Sequence, residues 1–300
     1  MTARRTEAQH AQAKGLQAEA PLTVLARLHD SQREAAGAVA PALPALAAAA
    51  EVAAAALRAG RRLAYAGAGS SGLMALADAL ELAGTFGIPP PQAPVLFAGG
   101  AAALLDHSGA SEDEVESAAA DFRRVGLGAG DVLICVAASG TTPYTVAIAE
   151  AGRAAGATIV AIANVADSPL LAVADISVLL DTGPELVAGS TRLGAATAQK
   201  IALNLISTLA GLRLGHVYDG YMVNMVAANA KLRDRAARIV AAIAGCDEAA
   251  ARAALAATGG AVKPAVLVAA GAQGRAEADR LLAASEGHLG PALNQLHSGR

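Results

Sequence analysis

Between Arg62 and Leu180 the chain repeats one pattern: a short apolar run, a turn, then in most cases a helix-like stretch. The runs are "RLAYAGAG", "VLFAGG", "DVLICVAASG", "TIVAIAN" and "ISVLL". Strands that alternate with helices in this way imply an α/β fold, a doubly wound parallel five-stranded sheet flanked by helices. Runs that are apolar at successive positions suit strands buried on both faces. The chain is 54% hydrophobic but only 2% aromatic, with no Trp. Core volume must therefore come from Ala, Leu, Val and Ile, which favours helices packed closely on a sheet.

Around that sheet the sequence reads as follows. Residues 1–20 are polar and form an expected N-terminal arm. Pro21–Ala59 reads as one or two helices, with Gly60 as a stop. Ser71–Gly84 has helical spacing of apolar residues. "SEDEVESAAADFRR" reads as a helix capped by Ser111, with acids in its first turn. Pro143–Ala154 is a helix with Pro in its first turn. Ala195–Leu212 and Met222–Ala244 read as helices, followed by a helical unit at Cys246–Gly260. The apolar "AVLVAAGA" and the helix-like "GRAEADRLLAAS" come last. The expected domains are the arm, a sheet domain over 21–240 and a small C-terminal helical subdomain over 241–300.

Several function classes are disfavoured. The formal net charge is −3 and no basic run interleaved with aromatics occurs, so no nucleic-acid partner is expected. Cys135 and Cys246 are the cysteines, which supports neither a disulfide framework nor a zinc site. The lone histidines His10 and His216 lack metal spacing and suit surface or core roles. The apolar stretch Ala38–Leu57 is broken by Pro41, Pro44 and Glu51, which fits an amphipathic helix better than a membrane span. The first residues have no apolar core, so no secretory signal and no membrane partner are expected, and the reading is cytoplasmic.

Two strand–turn–helix units carry the candidate chemistry. The first is "GAGSSG" with Gly69, Ser70 and Ser71; the second is "SGTT", Ser139, Gly140, Thr141 and Thr142. Glycine lets the backbone approach a ligand, hydroxyls supply donors, and a helix start presents free N–H groups. That combination suits a phosphate monoester. Ser and Thr at a helix start are also ordinary caps, so one turn alone leaves both readings open. Two such turns at strand ends of one sheet favour a ligand. "GAGSSG" also spells the dinucleotide fingerprint, but no acid closes a second strand about 20 residues on. No G-K-[ST] follows the glycines, as a nucleotide-triphosphate loop would need.

These turns, with "DALELAGTFG", "GPELVAGSTRLGAATAQKIALNLIST" and "GHVYDGYMVNMVAANAKLRDRAARIV", resemble the sugar isomerase (SIS) fold. Within it the chain is similar to the N-acetylmuramic acid 6-phosphate etherases, from about Leu63 to the C-terminus. The resemblance implies a sugar-phosphate ligand, a homodimer, and removal of D-lactate from carbon 3 by elimination and hydration, with no metal or cofactor. It assigns Glu81 as the acid and Glu112 as the base, with neighbouring Asp113 as the alternative base. Glu81 is flanked by Leu80, Leu82 and Ala83, and an apolar setting favours a protonated carboxyl. Glu185, Ser190, Thr191 and Arg192 are implied near the sugar. Arg192 has a dimer-interface ion pair as its alternative role, and Lys200 is expected to be structural. The chain departs from the family pattern at His10, Leu73, Leu80, Gly194 and Asn224, two of which remove cations. A sugar-phosphate-binding regulator and a hexosamine-phosphate isomerase of the same fold remain as alternatives.

Overall fold

The computed structural model of the chain describes residues 5–105 and 110–298, so the first four residues of the expected arm lie outside the described residues. Helices α1 (Pro21–Gly37) and α2 (Leu43–Arg58) lead into β1 (Leu63–Gly67). Next come α3 (Gly69–Phe86), β2 (Val95–Phe97), α4 (Val115–Val125) and β3 (Val132–Val136). They are followed by α5 (Pro143–Ala154), β4 (Thr158–Ala163), α6 (Pro169–Val173) and β5 (Ile176–Leu179). After α7 (Gly194–Arg213) comes a short pair, β6 (Val217–Tyr218) and β7 (Tyr221–Met222). The chain ends in α8 (Ala230–Ala244), α9 (Glu248–Ala257), α10 (Val262–Ala269), α11 (Arg275–Ala284) and α12 (Leu289–Ser298). Packing groups Met1–Ala79 with Pro91–Ser207 in one compact unit, and Leu80–Pro90 with Thr208–Arg300 in another.

The first unit contains the sheet. All five expected strands form, parallel throughout, in the order β2-β1-β3-β4-β5. On one face Ala64, Ala66, Leu133, Cys135, Ile159 and Ala161 pack against Tyr144, Ile148 and Ala149 of α5. Gly152 brings α5 down onto this face: a Cβ there would stand 2.8 Å from Leu133 Cδ2 and 2.9 Å from Ile159 Cδ1. α2 packs against β1, β3 and β5. Its Ala49, Ala50, Ala53 and Ala54 are buried, which accounts for an apolar stretch that has the length of a membrane span. Ser111 does not cap α4. That helix begins at Val115, because Ala110–Asp113 first close a separate turn of 3-10 helix.

The second unit is held by an apolar core that includes Val223, Ile239, Val240, Val262, Val266, Leu267 and Leu289. α8 shares this core with α9 to α12, although the sequence reading placed most of it before residue 240. The helix expected from Met222 starts only at Ala230, where Asn229 Oδ1 accepts the Leu232 N–H at 2.9 Å. Ahead of it β6 and β7 form a hairpin around Asp219 and Gly220, both at positive φ (46° and 78°). An Asp-Gly pair is the turn such a hairpin favours. "AVLVAAGA" is largely the helix α10, and α6 and α12 were not foreseen.

His216 follows Gly215 in this unit. Its ring bonds the Phe86 carbonyl, while Nδ1 is buried without a partner. Burial first, then the charges of Lys263 and His288, push its pKa from 6.5 down to about 4. The unfolded chain therefore takes the proton first, and stability is lost as pH falls from 6.5 towards 4. Urea midpoints should fall over that window, and fall less in His216→Gln; equal slopes would contradict the assignment.

Candidate functional site

The strand order reverses between β1 and β3. From β1 the chain moves out to β2; from β3 it moves the other way, to β4 and β5. Ligands of open α/β sheets bind outside the carboxyl ends of the strands at such a switch point. Register places Gly67, the last residue of β1, opposite Val136, the last of β3. The turns that follow these strands are the two hydroxyl turns.

In the first turn the glycines have separate steric duties. A Cβ on Gly67 would lie 2.9 Å from Gly72 Cα, and one on Gly72 would lie 2.7 Å from the Phe97 ring. Gly69 has φ +55° and opens α3. Ser70 is half-buried and Ser71 is buried. Over this helix start lies Glu112: its Oε1 is 2.5 Å from where a Gly69 Cβ would be. The carboxylate thus faces the positive end of α3. The short 3-10 turn Ala110–Asp113 sets this placement, and Asp113 is exposed.

In the second turn Gly140 has φ +65°, and its carbonyl accepts the Leu170 N–H at 3.0 Å. Ser168 fills the space that a side chain on Gly140 would need. Ser139 Oγ accepts the Thr141 N–H (3.2 Å) and the Thr141 hydroxyl (3.0 Å). Thr142 precedes α5 but makes no side-chain cap. The hydroxyls of Ser139 and Thr141 are thus bonded within the turn rather than used as a side-chain cap on α5.

The third segment differs from expectation. Ser190, Thr191 and Arg192 do not open α7, which starts at Gly194; they belong to the turn before it. The helix start is instead held by Glu185. That carboxylate is buried and accepts the N–H of Gly194 at 2.9 Å and of Ala195 at 2.8 Å. Glu185 thus shapes the turn through the backbone. Ser190 and Thr191 are half-buried, while Arg192 and Lys200 are exposed. The expected arm reaches this turn, since the Gly189 N–H donates to the Thr6 carbonyl at 2.9 Å and Thr6 is buried.

Glu81 belongs to the second unit and is exposed, as is Leu80 at 68%. The apolar setting read from its neighbours in sequence does not form there, because consecutive helix residues point in different directions. Leu82 alone of the three flanking residues is fully turned inward.

Two buried polar clusters escaped the sequence reading. Asp78 accepts the Tyr65 hydroxyl (2.9 Å), Asn204 Nδ2 (2.7 Å) and the Ser207 hydroxyl (2.9 Å). It ties α3 to β1 and α7, and burial together with the Asp78 carboxylate raises the Tyr65 phenol pKa well above its ordinary value. Gln199 Nε2 donates to Asn164 Oδ1 at 2.8 Å, and Asn164 Nδ2 donates to the Leu180 carbonyl at 2.9 Å. The available signal was spacing: Asn204 and Ser207 lie three residues apart on one helix face, and Asp78 sits alone in an apolar run.

Comparison with known proteins agrees with this geometry. Residues 30–164 match the SIS domain family. A protein of Deinococcus radiodurans called N-acetylmuramic acid 6-phosphate etherase is 47% identical, over 97% of this chain and 96% of its own. A namesake from Serratia proteamaculans is 40% identical over 94% and 95% of the two chains. The chain belongs to the N-acetylmuramic acid 6-phosphate etherase family. Its SIS fold is seen also in a putative phosphosugar isomerase of Bacteroides fragilis, at TM-score 0.51 and 19% identity, over 67% of this chain and 95% of that one.

Within this etherase-family chain, one departure from the common pattern has a packing reason. A Cβ on Gly194 would lie 3.1 Å from both Ala35 Cβ and Glu185 Oε2, so a longer side chain there would disturb the cap of α7. The SGTT turn gives a direct test. Gly140→Ala should weaken binding of inorganic phosphate by about tenfold or more, ~1.4 kcal/mol, through strain at positive φ and a clash with Ser168. Adding Ser168→Gly should recover part of that loss in calorimetry. Unchanged affinity in the single variant would rule the turn out as a phosphate site.

Proposed function

We infer that the chain is a carbon–oxygen lyase that cleaves the D-lactyl ether of N-acetylmuramic acid 6-phosphate, giving N-acetylglucosamine 6-phosphate and D-lactate. The activity reading rests on the etherase relatives, which align over nearly the whole chain. The observation in this chain that best supports it is the Glu112 carboxylate lying over Gly69, at the start of α3. A phosphate held by Gly69–Ser71 and Ser139–Thr142 anchors carbon 6 at the switch point. The open-chain aldehyde acidifies the proton on carbon 2. Glu112 takes that proton, the carbon 3–oxygen bond breaks, and Glu81 protonates the departing lactate oxygen. Water then adds to carbon 3 of the unsaturated aldehyde. The two carboxyl groups thus have opposite duties, one as base and one as acid.

Ser190, Thr191 and Arg192 are proposed to face the sugar, with Arg192 offering its guanidinium to the lactyl carboxylate. Of the three regions read from the sequence, the arm to residue 20 and the sugar-phosphate domain are kept as proposed, and the helical subdomain is proposed to begin ahead of α8 rather than at 241, because α8 shares its core. We further place the protein in the cytoplasm as a homodimer. Leu22, Leu25, Leu73 and Leu205 of the first unit are at least partly exposed (81%, 60%, 37% and 41%), and a second copy would cover such surface.

Incubation with N-acetylmuramic acid 6-phosphate should release D-lactate. Glu112→Gln should lower release by about 100-fold or more and also abolish exchange of the carbon 2 proton of N-acetylglucosamine 6-phosphate in heavy water. Glu81→Gln should lose lactate release but keep that exchange. Tight hexosamine-phosphate binding with no lactate from the wild type would point instead to a sugar-phosphate-binding regulator.

A further inference from the structure

The second unit contains a buried cation that the proposed reaction does not use. Lys263 lies in the first turn of α10 and is 8% exposed. Its ammonium donates to the Gly287 carbonyl at 2.9 Å and forms no ion pair among the described residues. An ammonium has three donors, so two are left over. The surroundings add positive rather than negative charge. Lys263 and His288 both act on the His216 ring as like charges. Gly215 packs directly on this corner: a Cβ there would lie 2.9 Å from the Gly287 carbonyl and 3.0 Å from the His288 ring. Two polar atoms in the same segments, His216 Nδ1 and Ser285 Oγ, are buried without partners.

The Gly287 carbonyl follows the end of α11, so Lys263 also serves as a C-terminal cation for that helix. That role supplies only the partial charge of a helix end. A whole buried charge costs several kcal/mol unless it is paired. Burial pushes the Lys263 pKa down to about 8. Lys263 also lines a cavity of about 570 Å³, together with Asn224, Ala261, Arg275 and Asp279. Arg275 is already matched there by Asp279 at 2.7 Å. The unmatched charge of the cavity is the lysine.

We propose that this cavity binds a small oxyanion, a carboxylate or a phosphate group, on the Lys263 ammonium. The anion supplies the missing counter-charge and occupies the two remaining donors. This site does not depend on the etherase reading.

The test uses wild-type protein with ¹³C-labelled lysine, in which Lys14, Lys200 and Lys231 serve as internal references. Sodium phosphate and D-lactate are titrated separately at constant ionic strength, against sodium chloride. The Lys263 side-chain resonance should shift saturably with at least one of the two oxyanions, and its titration midpoint should rise, while chloride gives no saturation. The phosphate and lactate arms tell the two sources apart. In a Ser139→Ala, Thr141→Ala background, Lys263→Met should remove the remaining saturable heat of binding, and Lys263→Arg should retain it. A Lys263 resonance that no oxyanion shifts saturably would overturn the proposal and leave the lysine as a helix cap alone. Equal binding by Lys263→Met would overturn it too.

Discussion

The site depends on one backbone register. Gly67 and Val136 end adjacent parallel strands at the same level, and the connections after them leave in opposite directions across the sheet. The two turns therefore emerge side by side from neighbouring strand ends. A slip of one residue would turn every side chain of β1 to the other face. The burial of all five residues of both strands makes such a slip costly. The apolar sheet does not simply support the site; its register decides which turns meet.

Helices α3 and α7 are fixed by buried acids that form no ion pair among the described residues. Asp78 is satisfied by two hydroxyls and one amide, and Glu185 by two backbone N–H groups at the start of α7. Each acid uses neutral donors or a helix end, so no arginine or lysine has to be buried with it. Asp78 and Glu185 both act on α7, one through Asn204 and Ser207 and one through the helix start. This gives a core built from alanine and leucine a directional element that apolar packing alone lacks.

The sheet was legible because its signal is local: apolar runs bounded by glycine. All five strands and the helices α3, α5 and α7 follow from that pattern. What stayed hidden depends on contacts distant in sequence. The resemblance implies Glu185 near the sugar, but its bonds to the N–H groups of Gly194 and Ala195 were not legible, because they form only once the turn folds back. Ser111 looked like a cap because nothing in "SEDE" signals the 3-10 turn that comes before α4. The helix read from Met222 begins instead at Ala230, because Met222 still belongs to the hairpin that the Asp219-Gly220 turn closes, and apolar spacing past that turn does not show where the hairpin ends. The apolar neighbours of Glu81 misled for a related reason: closeness along a helix is not closeness on its face.

The account stands on the claim that one phosphate group bridges the two hydroxyl turns. A crystal structure with N-acetylglucosamine 6-phosphate bound tests it most directly. The account predicts the phosphate within hydrogen-bond distance of Ser70 or Ser71 and of at least two of Ser139, Thr141 and Thr142, with Glu112 turned to carbon 2. A phosphate seated away from both turns, with the Ser139–Thr141 hydrogen bonds undisturbed, would contradict it.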